Sequence, residues 1–218
     1  MSRLEEMFNS AKEFYHLEGL LPLMKRVLAF LWENSFRRET FYLYEHHTIG
    51  HDETKFMPRI ENLTFKMVET AYEVDELNRQ GFVFKPRAVD IRQWLNKGAV
   101  AFCVFNGNEL VHIGWVILTQ EAKESLERLP YRVDFPNNEA CTGGTWTNSR
   151  YRGKGLMGYG YFKRFQFLKE KGRLVSRNAV DVKNIASQHA HAKFHPRIYA
   201  KVHYFKVFRW KSWREEPV

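Results

Sequence analysis

Cysteine is nearly absent: Cys103 and Cys141 stand far apart and form no CxxC pair. That excludes a disulfide framework. Both thiols sit in apolar, strand-like text, which predicts buried free cysteines in a reducing compartment. Long apolar runs are missing too. The most apolar, Val27–Trp32, is too short to cross a bilayer, and Lys25 and Arg26 interrupt its extension. Residues 1–10 carry Arg3, Glu5 and Glu6 with no apolar stretch, so no secretory leader is expected and the expected setting is the cytoplasm. With 7 Pro and 13 Gly the chain is neither collagen-like nor low-complexity, and no internal repeat is visible. Negative charge is in deficit: 25 Asp+Glu against 34 Lys+Arg leave +9 over 218 residues. That balance favours an anionic partner such as phosphate, nucleic acid or a lipid headgroup.

What is present is apolar and aromatic, 44% and 16% of the chain, enough to bury a core and to exclude disorder as the main state. Ser2-Arg-Leu-Glu5 reads as a capping box before a helix that Gly19 ends. A second helix from Leu20 presents Met24, Val27, Leu28 and Leu31 on one face, and Thr40–Tyr44 reads as a short strand. Leu63, Phe65 and Met67 alternate as in a strand, and Thr70-Ala-Tyr-Glu73 caps a helix that stops at Gly81. A helix over Ala88–Lys97 precedes strands Val100–Phe105 and Glu109–Leu118, joined by the turn Asn106-Gly107-Asn108. Then follow a short helix (Glu121–Arg128), a strand (Glu139–Asn148), a helix (Leu156–Lys171), a strand (Leu174–Asp181), a helix (Asn184–Phe194) and a long strand (Arg197–Trp210). This order gives an α+β chain with a mixed sheet.

The informative segment is Ser149-Arg-Tyr-Arg152-Gly-Lys-Gly155-Leu-Met-Gly158, which a strand enters and a helix leaves. Glycines there bare backbone N–H groups at the positive end of the helix, a site for phosphate oxygens. Arg150, Arg152 and Lys154 add charge. The segment lacks both the ending of a Walker loop and the spacing of a dinucleotide fold.

In this context the chain resembles the GNAT acyltransferase superfamily, whose pyrophosphate loop is written Q/R-x-x-G-x-G/A. Arg152-Gly-Lys-Gly155-Leu-Met157 matches it except at Met157, and the frame Arg150-Tyr-Arg-Gly153-Lys-Gly155 matches throughout. Asn184, Ser187 and Lys193 fit the family's next helix, whereas His195-Pro196 replaces its usual Gly-Phe end. The likeness spans about residues 62–210 and is nearest to bacterial and archaeal members with a Gly-Lys-Gly-Leu loop and a Trp-rich C-terminus. It divides the chain into an N-terminal helical extension, 1–61, and a GNAT-like domain, 62–218.

The resemblance implies transfer of an acetyl or other acyl group from acyl-CoA to a primary amine of a small molecule, directly, in a ternary complex. Acyl-CoA would lie where two parallel strands splay apart. Trp146, Thr147 and Asn148 would pair with its pantetheine arm. The amides and charges of Arg150, Arg152, Gly153, Lys154, Gly155, Leu156 and Met157 would hold its pyrophosphate, with Asn184 and Ser187 beside it. Asn184 reads equally as a helix N-cap. A backbone N–H near Thr147 would face the thioester carbonyl. Glu139 is the candidate base, read otherwise as a solvated strand end, and many members instead use ordered water. His191, seven residues after Asn184, takes the place of the family's leaving-group acid, with Tyr199 and Tyr204 as substitutes. Its plainer reading is an exposed helix histidine.

Other patterns weigh less. His47/His51 and His191/His195 have i, i+4 spacing but no third ligand, so no metal is expected. The basic, aromatic segment Lys201–Arg214 reads as strand alternation, and no nucleic acid is expected as a partner. A peripheral membrane contact through residues 20–38 and a homodimer stay open, as does a non-catalytic acyl-CoA-binding or basic nucleic-acid- or membrane-binding domain of the same fold.

Overall fold

The computed structural model describes residues 36–84, 88–127, 129–208 and 210–218. The helices read before residue 36 lie outside the described residues. Chain contacts divide the molecule into two units: Phe41–Lys201 with Glu216–Val218, and Met1–Thr40 with Val202–Glu215.

In the larger unit, alternation and continuous apolar runs set the strands. β1 (Phe36–His47) enters it at Phe41, and β2 (Leu63–Val68), β3 (Ala99–Asn106), β4 (Glu109–Ile117), β5 (Glu139–Thr147), β6 (Val175–Asp181) and the start of β7 (Arg197–Val207) follow in the chain. In space the order is β2-β3-β4-β5-β6-β1-β7. β5 and β6 are parallel, whereas β2/β3, β3/β4, β4/β5 and β1/β6 are antiparallel, giving the mixed sheet expected. β3 and β4 are buried along almost their whole length, because both faces of the sheet are covered there.

One face carries α4 (Leu156–Glu170) and α5 (Ile185–Ala192). Phe102, Val116 and Ala140 of the sheet meet Tyr161, Phe165 and Leu168 of α4 there, with Phe194 just past α5. On the other face Trp115 meets Trp94 of α2 (Ala88–Leu95) edge-on at 5.0 Å. α1 (Ala71–Arg79) starts at the capping box read from sequence, with Thr70 and Glu73 bonded reciprocally. α3 (Gln120–Leu126) follows β4. Among the described residues no helix is long and apolar enough to cross a membrane.

β1 changes the boundary drawn at residue 61. Residues 41–47 pair with β6 from Phe41↔Asp181 to His47↔Val175, so this strand of the supposed extension belongs to the sheet. Burial of Phe41, Leu43, Tyr44 and His46 holds it there.

In the smaller unit, the described residues are the first part of β1, the end of β7, and β8 (Trp210–Pro217) as far as Glu215. Phe205 meets Phe36 edge-on at 5.2 Å and Trp210 at 5.7 Å, and Tyr204 meets Trp213 at 6.2 Å. The single long strand expected to Trp210 instead turns at Phe208, whose positive φ of 53° reverses the chain into β8.

Candidate active site

β5 and β6 share only three pairs: Glu139↔Val175, Ala140↔Ser176 and Cys141↔Arg177. The hydroxyl of Thr142, the first β5 residue past the last pair, lies 2.9 Å from that of Ser176 within the paired part of β6. β5 then runs on to Thr147 and β6 to Asp181 with no pairing between them. A β-bulge explains the divergence. Trp115 pairs with Gly143 but Ile113 with Trp146, so β5 holds one extra residue and bends. Gly144 makes the bulge with φ at 56°, and a Cβ there would stand 2.8 Å from the Trp115 ring. The result is a wedge-shaped opening whose β5 side is Gly143–Thr147.

At the end of β5 the chain makes a short turn, Ser149–Tyr151, and enters α4 through Gly153 and Gly155, both at positive φ. No side chain caps α4, so its first-turn amides remain available. They border a cavity of about 200 Å³ lined by Lys55, Arg59, Gly153, Gly155, Gly158 and Lys193. The 57–59 segment lies against this turn: Arg59 N donates to Lys154 O at 2.9 Å, and a Cβ on Gly155 would be 3.3 Å from Pro58 Cα. Three cations from two parts of the chain thus surround an amide-rich helix start, an arrangement suited to a diphosphate.

The loop residues named from sequence divide into two groups. Gly153 and Gly155 line the cavity. Leu156 and Met157 send their side chains into the core, so only their amides are candidates. Lys154 lies over the Tyr151 ring at 5.4 Å. Arg150 is instead held by Glu109 at 2.6 Å, and Arg152 donates from Nε to Thr147 O at 3.3 Å. Asn148 accepts from Arg150 N and donates to Glu109, which fixes the turn. Trp146 and Thr147 are half-buried on the open part of β5. Asn184 caps α5 by accepting from Ser187 N at 3.1 Å, so that amide is already used. Lys55 and Arg59 were missed because residues 40–61 showed no readable periodicity.

Beneath the opening runs a buried polar seam that the sequence reading also missed. His112 of β4 lies 2.8 Å from Thr147 Oγ1 through Nδ1. Arg164 of α4, 0% exposed, donates from Nε to Gly160 O at 3.0 Å and from Nη1 to Thr145 Oγ1 at 3.3 Å. Asn178 Nδ2 lies 3.1 Å from Tyr161 Oη and 3.2 Å from His191 Nε2, and His191 Nδ1 lies 3.0 Å from His46 Nε2. Burial, with Arg164 adding repulsion, pushes His112 down to about 3. Burial, then His51 and Arg164, do the same to His46, also to about 3. The available signal was an arginine on the apolar face of α4, four residues from Gly160.

The catalytic candidates need correction. His191 is neither exposed nor a ready acid. It is 1% exposed, and burial first, then His46 and Arg164, hold its pKa well below the ordinary 6.5. With Asn178 donating to Nε2, the neutral ring's single proton sits on Nδ1 and is given to His46. Glu139 is no solvated base. It grips Arg177 through both oxygens, at 2.7 and 2.5 Å, and accepts from Asp134 N, within the paired part of β5. Burial works to raise its pKa, but Arg177 and the Asp134 amide outweigh it and hold the carboxyl below its usual range. Tyr199 lies on the same guanidinium, 4.7 Å from ring centre to its carbon. Of the histidine pairs, His51 Nε2 bonds to the His47 carbonyl, and His191 is bound into the seam.

No family model and no curated protein matches the chain. Solved structures do. A GCN5-related glucosamine N-acetyltransferase region of a fungal multi-domain β-N-acetylglucosaminidase is 11% identical with TM-score 0.54, over 84% of this chain and 23% of that one. This chain has the GNAT acyltransferase fold. A GNAT-family acetyltransferase from Colwellia psychrerythraea is 14% identical with TM-score 0.49, over 84% of this chain and 61% of that one. A conserved protein of unknown function from Staphylococcus epidermidis is 12% identical with TM-score 0.49, covering 87% and 68%. The chain therefore spans about a quarter of the fungal protein and less than two thirds of the Colwellia one.

Proposed function

We propose that this chain is an acyl-CoA-dependent N-acyltransferase, moving an acetyl or related acyl group to a primary amine of a small molecule. One observation carries the reading: the wedge between β5 and β6 opens beside an uncapped helix start ringed by Lys55, Arg59 and Lys193. Cationic side chains and bare amides fit the diphosphate of CoA, and the free β5 edge fits an extended amide-bearing arm. Transfer is direct, within a ternary complex. Glu139 is committed to Arg177, so the amine enters as its free base with water accepting the proton. The excess of basic residues favours acceptors with phosphate or carboxylate. Two free, buried cysteines fit a reducing, cytoplasmic setting.

The test is a panel of small amines incubated with acetyl-CoA, followed by release of free thiol. Amine-dependent thiol release supports the reading. Binding of acetyl-CoA without turnover by any amine favours a non-catalytic acyl-CoA-binding domain of the same fold.

A further inference from the structure

We propose that the Arg164 guanidinium stabilises the negative charge of the departing thiolate, so that transfer needs no proton donor. This rests on the acyltransferase reading. Arg164 is fully buried under the open part of β5, and its Nη2 has no hydrogen-bond partner. Its contacts are uncharged: Gly160 O, Thr145 Oγ1 and the face of Tyr161, 3.7 Å from ring centre to guanidinium carbon. No carboxylate pairs with it among the described residues.

A charge taken out of water without a counterion is costly, and an uncharged side chain of similar size would fill the same space. Arginine stays charged even when burial lowers its pKa, as it does here. The groups around it neither neutralise it nor compete with it. They are Thr145 of β5 and Tyr161 of α4, which touch it, and His112 of β4, His46 of β1 and His191 of α5, whose charged forms it repels. The three histidines are held neutral. Thr145 stands past the last β5–β6 pair, so the guanidinium lies beneath the part of β5 that β6 has left, packed against Gly114 of β4. A buried, unpaired cation beneath that stretch of β5 is matched by an anion that forms above it.

The reaction supplies one. The amine nitrogen attacks the thioester carbon and forms the C–N bond, and its proton passes to water. The C–S bond breaks with its electron pair on sulfur, leaving CoA as a thiolate. A fixed positive charge in a medium of low polarity lowers the energy of that thiolate and of the transition state leading to it. Neutral His191, its proton given to His46, then has no donor role to fill.

The experiment uses the full chain with CoA and with desulfo-CoA, which lacks the thiol. The difference in ultraviolet thiolate absorbance between the two complexes is followed against pH. Bound CoA should ionise at least about one pH unit below free CoA. Arg164→Lys should retain most of that shift. Arg164→Gln should abolish it and lower kcat by about ten-fold or more, with CoA affinity little changed. A bound thiol that titrates like free CoA in the wild-type protein overturns the proposal, whether or not Arg164→Gln folds. Failure of the wild-type protein to bind CoA at all overturns the acyltransferase reading instead, and this proposal with it.

Discussion

Gly114 makes room for Arg164: a methyl group on Gly114 would stand 2.7 Å from the guanidinium carbon. The reciprocal fit holds one turn back on α4, where a Cβ on Gly160 would overlap Nε2 of His112. Small residues thus admit two buried polar side chains between β4 and α4. Gly114→Ala is expected to cost about 1–3 kcal/mol, because Arg164 is held by Gly160 O and the Tyr161 ring and cannot swing away. Thermal melts of Gly114→Ala, Arg164→Met and the double variant check this. The costs should be strongly non-additive, whereas simple additivity would show that the two residues do not compete for space.

The buried histidines make stability depend on pH. His46 and His112, at about 3 when folded, and His191, also lowered, stay neutral in the folded protein while the unfolded chain takes up protons below about 6.5. Stability is therefore complete above that value and falls as pH drops toward 3. Each histidine steepens the fall by up to about 1.4 kcal/mol per pH unit. Denaturant melts at stepped pH should show this loss, and His46→Asn should reduce the slope if it folds. A flat profile between these limits would contradict the burial of the three rings.

Glu139 is paired bidentately with Arg177, and the proposed acyl transfer therefore assigns it an anchoring role in place of that of base. Glu139→Gln removes the charge on Arg177's bidentate partner, leaving Glu45 at 3.0 Å as its remaining carboxylate. Stability should drop by roughly 1–3 kcal/mol. Turnover per folded molecule should stay within about two-fold, with an unchanged pH–rate profile. Loss of one limb of that profile would restore Glu139 as the base.

The cavity cations should matter more than the loop arginine Arg150. Lys55→Ala and Lys193→Ala should each weaken CoA binding by about three- to ten-fold and flatten its salt dependence. Arg150→Ala should change affinity little, since Glu109 already neutralises Arg150. The opposite ranking, measured by calorimetry, would mean that the diphosphate sits elsewhere on the loop.

Much of the fold was readable because its signals are local. The Asn106-Gly107 turn, the Thr70–Glu73 capping box and the Gly-rich entry to α4 each need only a few neighbouring residues. β1 was harder to see: Arg37, Arg38 and Glu39 mask its start, and Leu43 and Tyr44 are buried in succession, which breaks strict alternation. The divergence of β5 from β6 depends on a bulge, for which Gly143-Gly144 inside a strand was the one local hint. His191 reads as a polar helix residue, and its burial follows only from Tyr44, His46 and Tyr161 stacking around it from other elements. Arg164 and His112 gain meaning only once α4 is laid on β4.

The most direct test is calorimetric titration of the full-length, folded chain with CoA at low and at high salt. One saturable site, weakened as salt rises, is the predicted result for a diphosphate held by the α4 amides with Lys55, Arg59 and Lys193. A folded protein that takes up no CoA at either salt would contradict the account.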